Sequence, residues 1–201
     1  MTGVDRDTEI ALVERLRGGD TEAFDAIHAA FNTRLFTFLL RLSRRRDVAE
    51  DLLAETWLGC VKHAHRLRSD TRLLPWLFTV ARNLHVSFLR SRRLEDSMTD
   101  GLMTLWPFGT AHASPFESAA ASELEARIEA ALAALPSSAR EVLLLVGVAG
   151  LDHSDAADVC GITPDALRQR LHRAREALSR ALERGEAAGS RTPGGITCPT
   201  R

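Results

Sequence analysis

Residues 72–93 combine an apolar stripe with a dense run of cations, and this combination constrains the fold more than any other stretch of the chain. The apolar side chains recur at three- and four-residue steps, as they do on the buried face of an α-helix. They are Leu73, Trp76, Leu77, Val80, Ala81, Leu84 and Phe88. The remaining positions include Arg72, Arg82, Asn83, His85, Arg90, Arg92 and Arg93. We therefore expect a helix with protein core on one face and an anion on the other.

DNA is the anion that this cationic face favours, because no carboxylate interrupts it before Glu95 and a duplex presents a long row of phosphates. For the helix taken alone, a solvated basic face and a membrane-surface helix stay open as alternatives. Charge is segregated along the whole chain, although the net charge is only -1. Residues 62–93 are basic with Asp70 as their single acid, whereas residues 47–55 and 117–129 are mostly acidic. Such patches indicate separate surfaces for separate partners.

The composition favours an all-α protein. Aromatic residues make up 5% of the 201 positions and Tyr is absent, whereas strands draw on aromatic and β-branched residues. The three cysteines, Cys60, Cys160 and Cys198, are too widely spaced for a disulfide framework. Cys60 lies close to His63 and His65, but no second cluster completes four metal ligands, so we expect neither a metal nor a cofactor. No apolar run approaches a membrane span and no signal-peptide core is present, which predicts a cytoplasmic protein.

The first half of the chain predicts a compact antiparallel bundle of helices. A short helix over residues 8–17 ends at Gly18-Gly19, and Asp20 can cap the next helix. Asp47 is expected to open a third helix with Glu50 as its capping-box partner, and Val61 is expected in the buried stripe of that helix. Trp57 lies near the edge of the stripe and fits either the core or a contact surface. The predicted helix over residues 72–93 completes the bundle.

The second half also predicts helices only. Two capping boxes, Ser122 with Glu125 and Ser138 with Glu141, mark helix starts. A short helix over residues 154–160 precedes a glycine turn, and Thr163-Pro164 begins a last helix that runs to about Glu183. We therefore predict two small helical domains: residues 1–95, a flexible linker at 96–114, residues 115–184, and a disordered tail at 185–201.

A short helix, a glycine turn and a basic helix form the helix-turn-helix pattern, whose second helix enters the major groove of DNA. Arg can pair bidentately with guanine and Gln with adenine. The candidates for contacts with base edges are Arg168, Gln169, His172 and Arg173. An ordinary helical hairpin with charged faces is the alternative for this half alone.

Taken together, the order and spacing of several segments resemble the extracytoplasmic-function (group IV) sigma factors of the bacterial sigma-70 family. The resemblance covers most of residues 8–184. It rests on Gly19-Asp20 with Ala23-Phe24, residues 47–57, Pro75–Asn83, Leu135–Arg140, Ala156–Thr163 and Leu167–Leu178. Single positions depart from the family pattern: Ala54 stands where Gln is frequent, Asp158 where a longer acid is frequent, and Ala166 where Thr is usual.

The resemblance implies a dissociable subunit that gives RNA polymerase its promoter specificity. It implies that an acidic helix binds core RNA polymerase through Asp47, Asp51 and Glu55. It implies that the basic helix and the turn before it bind the minus-ten promoter element through Arg68, Arg72, Trp76, Arg82, Asn83 and Arg90. The helix at 164–183 would read the minus-thirty-five element through Arg168, Gln169, His172 and Arg173, and an anti-sigma factor would be a further partner.

Two other classes of function fit the sequence less well. A stand-alone helix-turn-helix transcriptional regulator would use only the second half and would leave the acidic and basic helices of the first half unexplained. A hydrolytic enzyme has no support, because neither a nucleophile with its base nor a phosphate-cradling loop is discernible. We therefore expect the protein not to be an enzyme.

Overall fold

The computed structural model describes residues 6–99 and 123–189, and side chains at 6–94 and 123–184. Within these ranges every regular element is helical, as the composition predicted. The N-terminal half comprises α1 (Arg6–Arg17), α2 (Thr21–Ser43), α3 (Arg46–His63), a 3-10 turn (Ala64–Arg66) and α4 (Leu73–Thr99). The C-terminal half comprises α5 (Glu123–Ala133), α6 (Ser137–Gly147), α7 (His153–Cys160) and α8 (Pro164–Gly189).

The N-terminal half is built around mutual packing of α2, α3 and α4. The Asp20 carboxylate caps α2 by accepting the backbone N–H groups of Glu22 and Ala23 at 2.9 and 3.3 Å, which confirms the predicted cap. Phe38 of α2 and Phe78 of α4 meet edge to face with ring centroids 5.1 Å apart, and both are fully buried. This aromatic contact joins the two longest helices of the half.

The predicted capping box of α3 is wrong. The helix begins at Arg46 with Arg45 as its cap residue, two positions before the predicted cap Asp47, and Arg45 makes no side-chain capping hydrogen bond. Asp47 instead accepts from the Arg45 guanidinium, and Glu50 accepts from Arg46 at 2.8 Å. The abundance of arginine at this helix start gives both carboxylates a charged partner, which competes with the backbone N–H groups for them.

The helix-turn-helix of the C-terminal half follows the local sequence signals closely. Asp152 caps α7 by accepting the N–H of Asp155 at 2.8 Å. Gly161 ends α7 with a φ of 65°, a conformation that glycine adopts without steric cost. Thr163 then accepts the N–H of Ala166 at 3.2 Å, and Pro164 is the first residue of α8. The predicted short helix, glycine turn and Thr-Pro helix start are confirmed.

Other boundaries differ from the prediction. No side chain caps α6, which begins at Ser137, so the Ser138 and Glu141 capping box is wrong. Helix α4 continues to Thr99 and α8 to Gly189, beyond the predicted ends at residues 95 and 183, because Ser, Thr and Gly near a helix end lower propensity without preventing a further turn. The box at Ser122, most of the predicted linker and residues 190–201 of the predicted tail lie outside the described residues.

The two halves pack against each other through α4 with α7 and through α2 with α5 and α6. Their buried apolar residues form one continuous core cluster. Arg140 of α6 is buried at this junction and donates to four backbone carbonyls. The acceptors are Leu132 at 2.9 Å, Ala133 at 3.1 Å, Leu135 at 2.9 Å and Leu42 of α2 at 3.3 Å. One guanidinium therefore satisfies the carbonyl end of α5 and also reaches the other half of the molecule.

Candidate nucleic-acid interface

The turn before α4 carries two of the predicted minus-ten residues and is fixed at both ends by buried leucines. Leu67 and Leu73 lie in the core, and the N–H of Thr71 donates to the carbonyl of Arg68 at 3.0 Å. The exposed Arg68 guanidinium donates to both carboxylate oxygens of Asp70, at 3.0 and 3.1 Å. These hydrogen bonds hold the pKa of Asp70 below its ordinary value. The turn is therefore a structured element that presents its cations outward.

Arg72 and Arg82 are both paired with carboxylates of the C-terminal half. The Arg72 guanidinium contacts Asp155 and lies 3.6 Å from Asp152. Burial raises the pKa of Asp155, and the positive charge of Arg72 opposes that shift. Arg82 donates to Glu141 at 2.8 Å, and both side chains are largely buried. The sequence pattern gave no sign of these pairs, because their partners lie 59 to 83 positions apart in the chain.

The other minus-ten candidates remain along the same helix. Trp76 is half-buried against the core, while Asn83 and Arg90 are exposed. The structure therefore aligns all six predicted residues on the turn and on α4. Arg72 and Arg82 bind carboxylates of the C-terminal half, and Arg68 binds Asp70 of its own turn. One expectation for this helix is wrong: His85 is only 4% exposed and lies in the core instead of on the cationic face.

His85 lies in a buried electropositive cluster at the junction of the two halves. Burial, and next the charges of Arg140 and Arg82, lower the pKa of His85 to about 4. The nearby thiol of Cys160 lies 4.0 Å from the Glu141 carboxylate, and burial raises its pKa to about 11. Both groups are therefore neutral at physiological pH and add no charge to this cluster.

The predicted polymerase-binding acids form one exposed row on α3. Asp47, Asp51 and Glu55 follow each other at four-residue steps, and all three are exposed. Asp47 is paired with Arg45, whose hydrogen bond lowers its pKa. Beyond Glu55 the row continues with Leu58 and Val61, which are 58% and 57% exposed. The expected burial of Val61 is therefore wrong, and α3 presents acids followed by apolar side chains.

Trp57, by contrast, belongs to the core. It is buried, it packs edge to face on Phe24, and its indole N–H donates to Asn32 at 2.9 Å. The choice that the sequence left open between core and contact surface is settled by this hydrogen bond, which fixes the ring between α2 and α3.

The base-edge candidates of α8 lie together on its exposed side. Arg168, Gln169, His172 and Arg173 are all exposed. Arg168 is paired with Asp165, the His172 ring lies 3.8 Å from Glu176, and Arg173 donates to the carbonyl of Gln169 at 3.3 Å. These partners are on the same helix, and such exposed pairs contribute little free energy. The four side chains are thus available to an external ligand.

Comparison with known proteins identifies the family to which this chain belongs. Residues 12–106 match the Sigma-70 region 2 family, and residues 125–178 match the Sigma-70 region 4 family. The chain is 37% identical to the ECF RNA polymerase sigma factor EcfG of Rhodopseudomonas palustris, over 74% of this chain and 78% of that protein. It is 34% identical to the RNA polymerase sigma factor CarQ of Myxococcus xanthus, over 85% of this chain and 95% of that protein. The chain belongs to the extracytoplasmic-function sigma factors.

Solved structures agree with this assignment. The sigma factor RpoE of Bartonella quintana, crystallised with the anti-sigma factor NepR, is 28% identical and superposes with a TM-score of 0.66, over 80% of this chain and 96% of that one. CnrH in complex with the cytosolic domain of CnrY is 21% identical with a TM-score of 0.65, over 87% and 97%, and shares the fold. The stand-alone regulator is overturned, because the acidic and basic helices of the first half match a sigma-factor region of their own.

The described residues also bear on metal binding and on membrane insertion. No group of three or more His, Cys, Asp or Glu side chains converges there in the way a metal site requires. Among the described helices, none has the length and apolar character that crossing a bilayer demands.

The buried state of His85 predicts a pH-dependent stability. Its pKa is about 4 in the folded protein and about 6.5 when unfolded, so the unfolded state takes up the proton as the pH falls from 6.5 to 4. The free energy of unfolding should therefore decrease by roughly 1–2 kcal/mol between pH 7 and pH 5 through this group. Urea unfolding of the wild type and of His85→Leu at both pH values measures it. An equal decrease in both proteins would show that His85 is not responsible.

Proposed function

We propose that this sigma factor divides its work between its two halves. The N-terminal half, assigned to residues 1–95, binds core RNA polymerase and the minus-ten element; the C-terminal half, assigned to residues 115–184, binds the minus-thirty-five element. The observation that carries the proposal is the order of surfaces along the chain: an exposed acidic row on α3, a basic turn and helix α4, and an exposed basic face on α8. The protein would act in the cytoplasm without catalysing a reaction itself.

The acidic row of α3 is the proposed contact with core polymerase. Asp51 and Glu55 are exposed, and they lie next to the exposed side chains of Leu58 and Val61. Carboxylates beside apolar groups suit a protein partner that offers cations around an apolar centre. A nucleic acid does not fit this surface, because its phosphates would be repelled.

The turn and α4 are the proposed contact with the minus-ten element. Arg68 and Arg72 project from the turn, and Asn83 and Arg90 project from α4. Cations supply phosphate contacts, and a half-buried aromatic such as Trp76 offers a surface for a displaced base. On α8, Arg168, Gln169, His172 and Arg173 are the proposed readers of the minus-thirty-five element, since this face of a recognition helix enters the major groove.

For Arg72 and Arg82 to bind the promoter, DNA phosphates must replace the carboxylates that are now paired with them. Asp155, Asp152 and Glu141 occupy these guanidiniums while the C-terminal half packs on α4. We therefore propose that the two halves separate when the protein engages the polymerase and the promoter. The RpoE structure from Bartonella quintana, which contains the anti-sigma factor NepR, supports an anti-sigma factor as a further partner.

The function is tested by run-off transcription with purified bacterial core polymerase and a library of promoter fragments. Initiation that requires the added protein supports the proposal, and the responding fragments reveal both promoter elements. If no fragment responds and the protein does not co-elute with core polymerase, the proposal fails.

Reversing the charge of the acidic row should abolish polymerase binding. The double variant Asp51→Arg/Glu55→Arg replaces two exposed carboxylates with cations that a basic partner repels, and we expect affinity for core polymerase to fall at least about 100-fold. Size-exclusion co-elution and fluorescence anisotropy measure the affinity, and circular dichroism checks the fold. The control is Asp25→Arg, which reverses an exposed charge on α2. Undiminished binding by the folded double variant would refute the assignment of this surface.

Removing Arg173 should affect a single base pair of the upstream element. A bidentate contact between Arg and guanine discriminates by about 1–3 kcal/mol, so Arg173→Ala should relax specificity at one position of the minus-thirty-five element. Holoenzyme binding to single-substitution variants of the promoter measures this. A uniform loss across all variants would make Arg173 a phosphate contact instead.

Removing the carboxylates around Arg72 should favour separation of the halves. In Asp152→Asn/Asp155→Asn the helix cap is retained, because Asn caps as Asp does, but the attraction to Arg72 is lost. Arg72 is 54% exposed, so we expect a modest shift of about 1 kcal/mol, or roughly fivefold in the ratio of open to closed molecules. Small-angle X-ray scattering would then give a larger radius of gyration than for Asp158→Asn, an exposed carboxylate on the same helix. Equal radii would contradict the proposed separation.

A further inference from the structure

The start of α4 is fastened by a residue that lies 64 positions earlier in the chain. Glu9 of α1 accepts the backbone N–H of Leu73, the first residue of α4, at 2.7 Å. The Glu9 side chain is 13% exposed and also accepts from Arg6 at 2.7 Å. Arg6 in turn donates to the backbone carbonyl of Asp70 at 2.6 Å. Arg6 and Glu9 therefore hold the backbone within the turn of residues 67–72, at Asp70, and directly after it, at Leu73. We call this pair the α1 clasp.

We propose that Glu9 is a positioning residue for promoter opening, which sets the orientation of the turn that carries Arg68 and Arg72. This inference rests on the proposed minus-ten role of that turn. Glu9 itself touches no surface that DNA would reach, because most of its side chain is buried beneath the turn. Its effect on the promoter would pass through the backbone that it holds.

The need for an external cap follows from the sequence at the helix start. A helix begins with N–H groups that have no partner within the helix, and a side chain just before the helix usually accepts them. Here the preceding residue is Arg72, whose guanidinium carries only donors. Leu73 is fully buried, so water cannot freely replace the missing acceptor. The carboxylate of Glu9 meets this need from another helix.

The charge of Glu9 suits this position as well as its oxygen atoms do. A carboxylate near the N-terminus of a helix is stabilised by the helix dipole, and its hydrogen bond to an N–H is stronger than a neutral one. Arg6 balances the charge and extends the contact to Asp70. The result is a turn whose backbone is held at Asp70 and Leu73, on either side of Arg72.

The clasp is also independent of the contact between the two halves. Arg6, Glu9, Asp70 and Leu73 all belong to the N-terminal half, and the three hydrogen bonds of the clasp lie wholly within it. Separation of the halves would free Arg72 from Asp155 while the clasp keeps the turn in place. A pre-ordered turn loses less conformational entropy when it captures unpaired DNA than a disordered one does.

The test is the rate of open-complex formation by holoenzyme containing the full chain, on a promoter from which the wild type initiates. Glu9→Ala should lower this rate about tenfold, the equivalent of one lost charge-assisted hydrogen bond. Glu9→Gln should restore most of the rate, because its amide oxygen can still accept from Leu73. Affinity for core polymerase should change less than twofold in both variants.

The control variants separate positioning from general stability. Glu14→Ala removes a carboxylate that also pairs with an arginine three residues away, Arg17 at 2.9 Å, but both members of that ion pair belong to α1. Val13→Ala cuts into the buried face of α1 and destabilises the half without touching the clasp. Glu9→Ala should also reduce discrimination against substitutions in the minus-ten element and leave discrimination in the minus-thirty-five element unchanged. Neither control should show this selective loss.

The outcomes are distinct. If Glu9→Ala opens promoters as fast as Glu14→Ala does, or loses discrimination equally at both elements, the positioning role is refuted. Should Glu9→Ala fail to fold, Arg6→Ala provides the same test, because Arg6 is 43% exposed and holds the turn at Asp70. A loss of minus-ten discrimination in Arg6→Ala supports the clasp, and retained discrimination refutes it. If the wild type itself fails to initiate on any promoter, the proposed function fails first.

Discussion

Burial of one face of α4 is the constraint on which the rest of this structure depends. Leu73, Leu77, Phe78 and Ala81 are inaccessible to solvent. They are covered by α2 and α3 of the same half, while α7 of the other half packs on the helix from another direction. Each fully buried large apolar side chain contributes about 1.5–3 kcal/mol, so burial of this face is a substantial source of stability. The cations of α4 must therefore be accommodated at the margins of a core.

At the edges of that core, arginine side chains are bound by carboxylates and backbone carbonyls. Arg72 and Arg82 each receive carboxylates from the C-terminal half, and Arg140 receives four carbonyls. A guanidinium that leaves water must be given acceptors, since an unpaired buried charge would cost several kcal/mol. The same requirement explains why His85, surrounded by arginines, remains neutral. The contact between the halves therefore depends on carboxylates that pair with these arginines. The same arginines are the side chains that a DNA phosphate would bind.

Features decided within a few residues could be predicted from the sequence. Asp20, the glycine turn at Gly161 and the Thr163-Pro164 start of α8 act on neighbouring backbone groups, and each is found as expected. The fold class and the exposure of the acidic row and of the α8 face also follow from periodicity. Glu141 matched a local capping signal but binds Arg82, 59 positions away. Local signals compete with distant charged partners, and the sequence alone does not show which partner prevails.

Long-range contacts explain the other differences. His85 lies between cations in the sequence, yet in the structure it is buried within range of the charge of Arg140, 55 positions later. Glu9 carries no motif at all, since its partner Leu73 offers only a backbone N–H, which every residue but proline possesses. Two features together could have suggested this contact. Glu9 is a charged residue at the edge of an amphipathic helix, and the residue directly before α4 has no side chain that can cap it.

The carboxylates bound to Arg72 and Arg82 have a consequence for ionic strength. A cation that binds DNA from water displaces counterions condensed on the phosphates, and each such contact makes affinity fall steeply with added salt. Salt also weakens the ion pairs that these two arginines make within the protein, so it favours their release while it disfavours their capture by DNA. The two effects oppose each other at the same side chains. Promoter affinity of this protein should therefore vary less with salt than the number of its phosphate contacts alone would require.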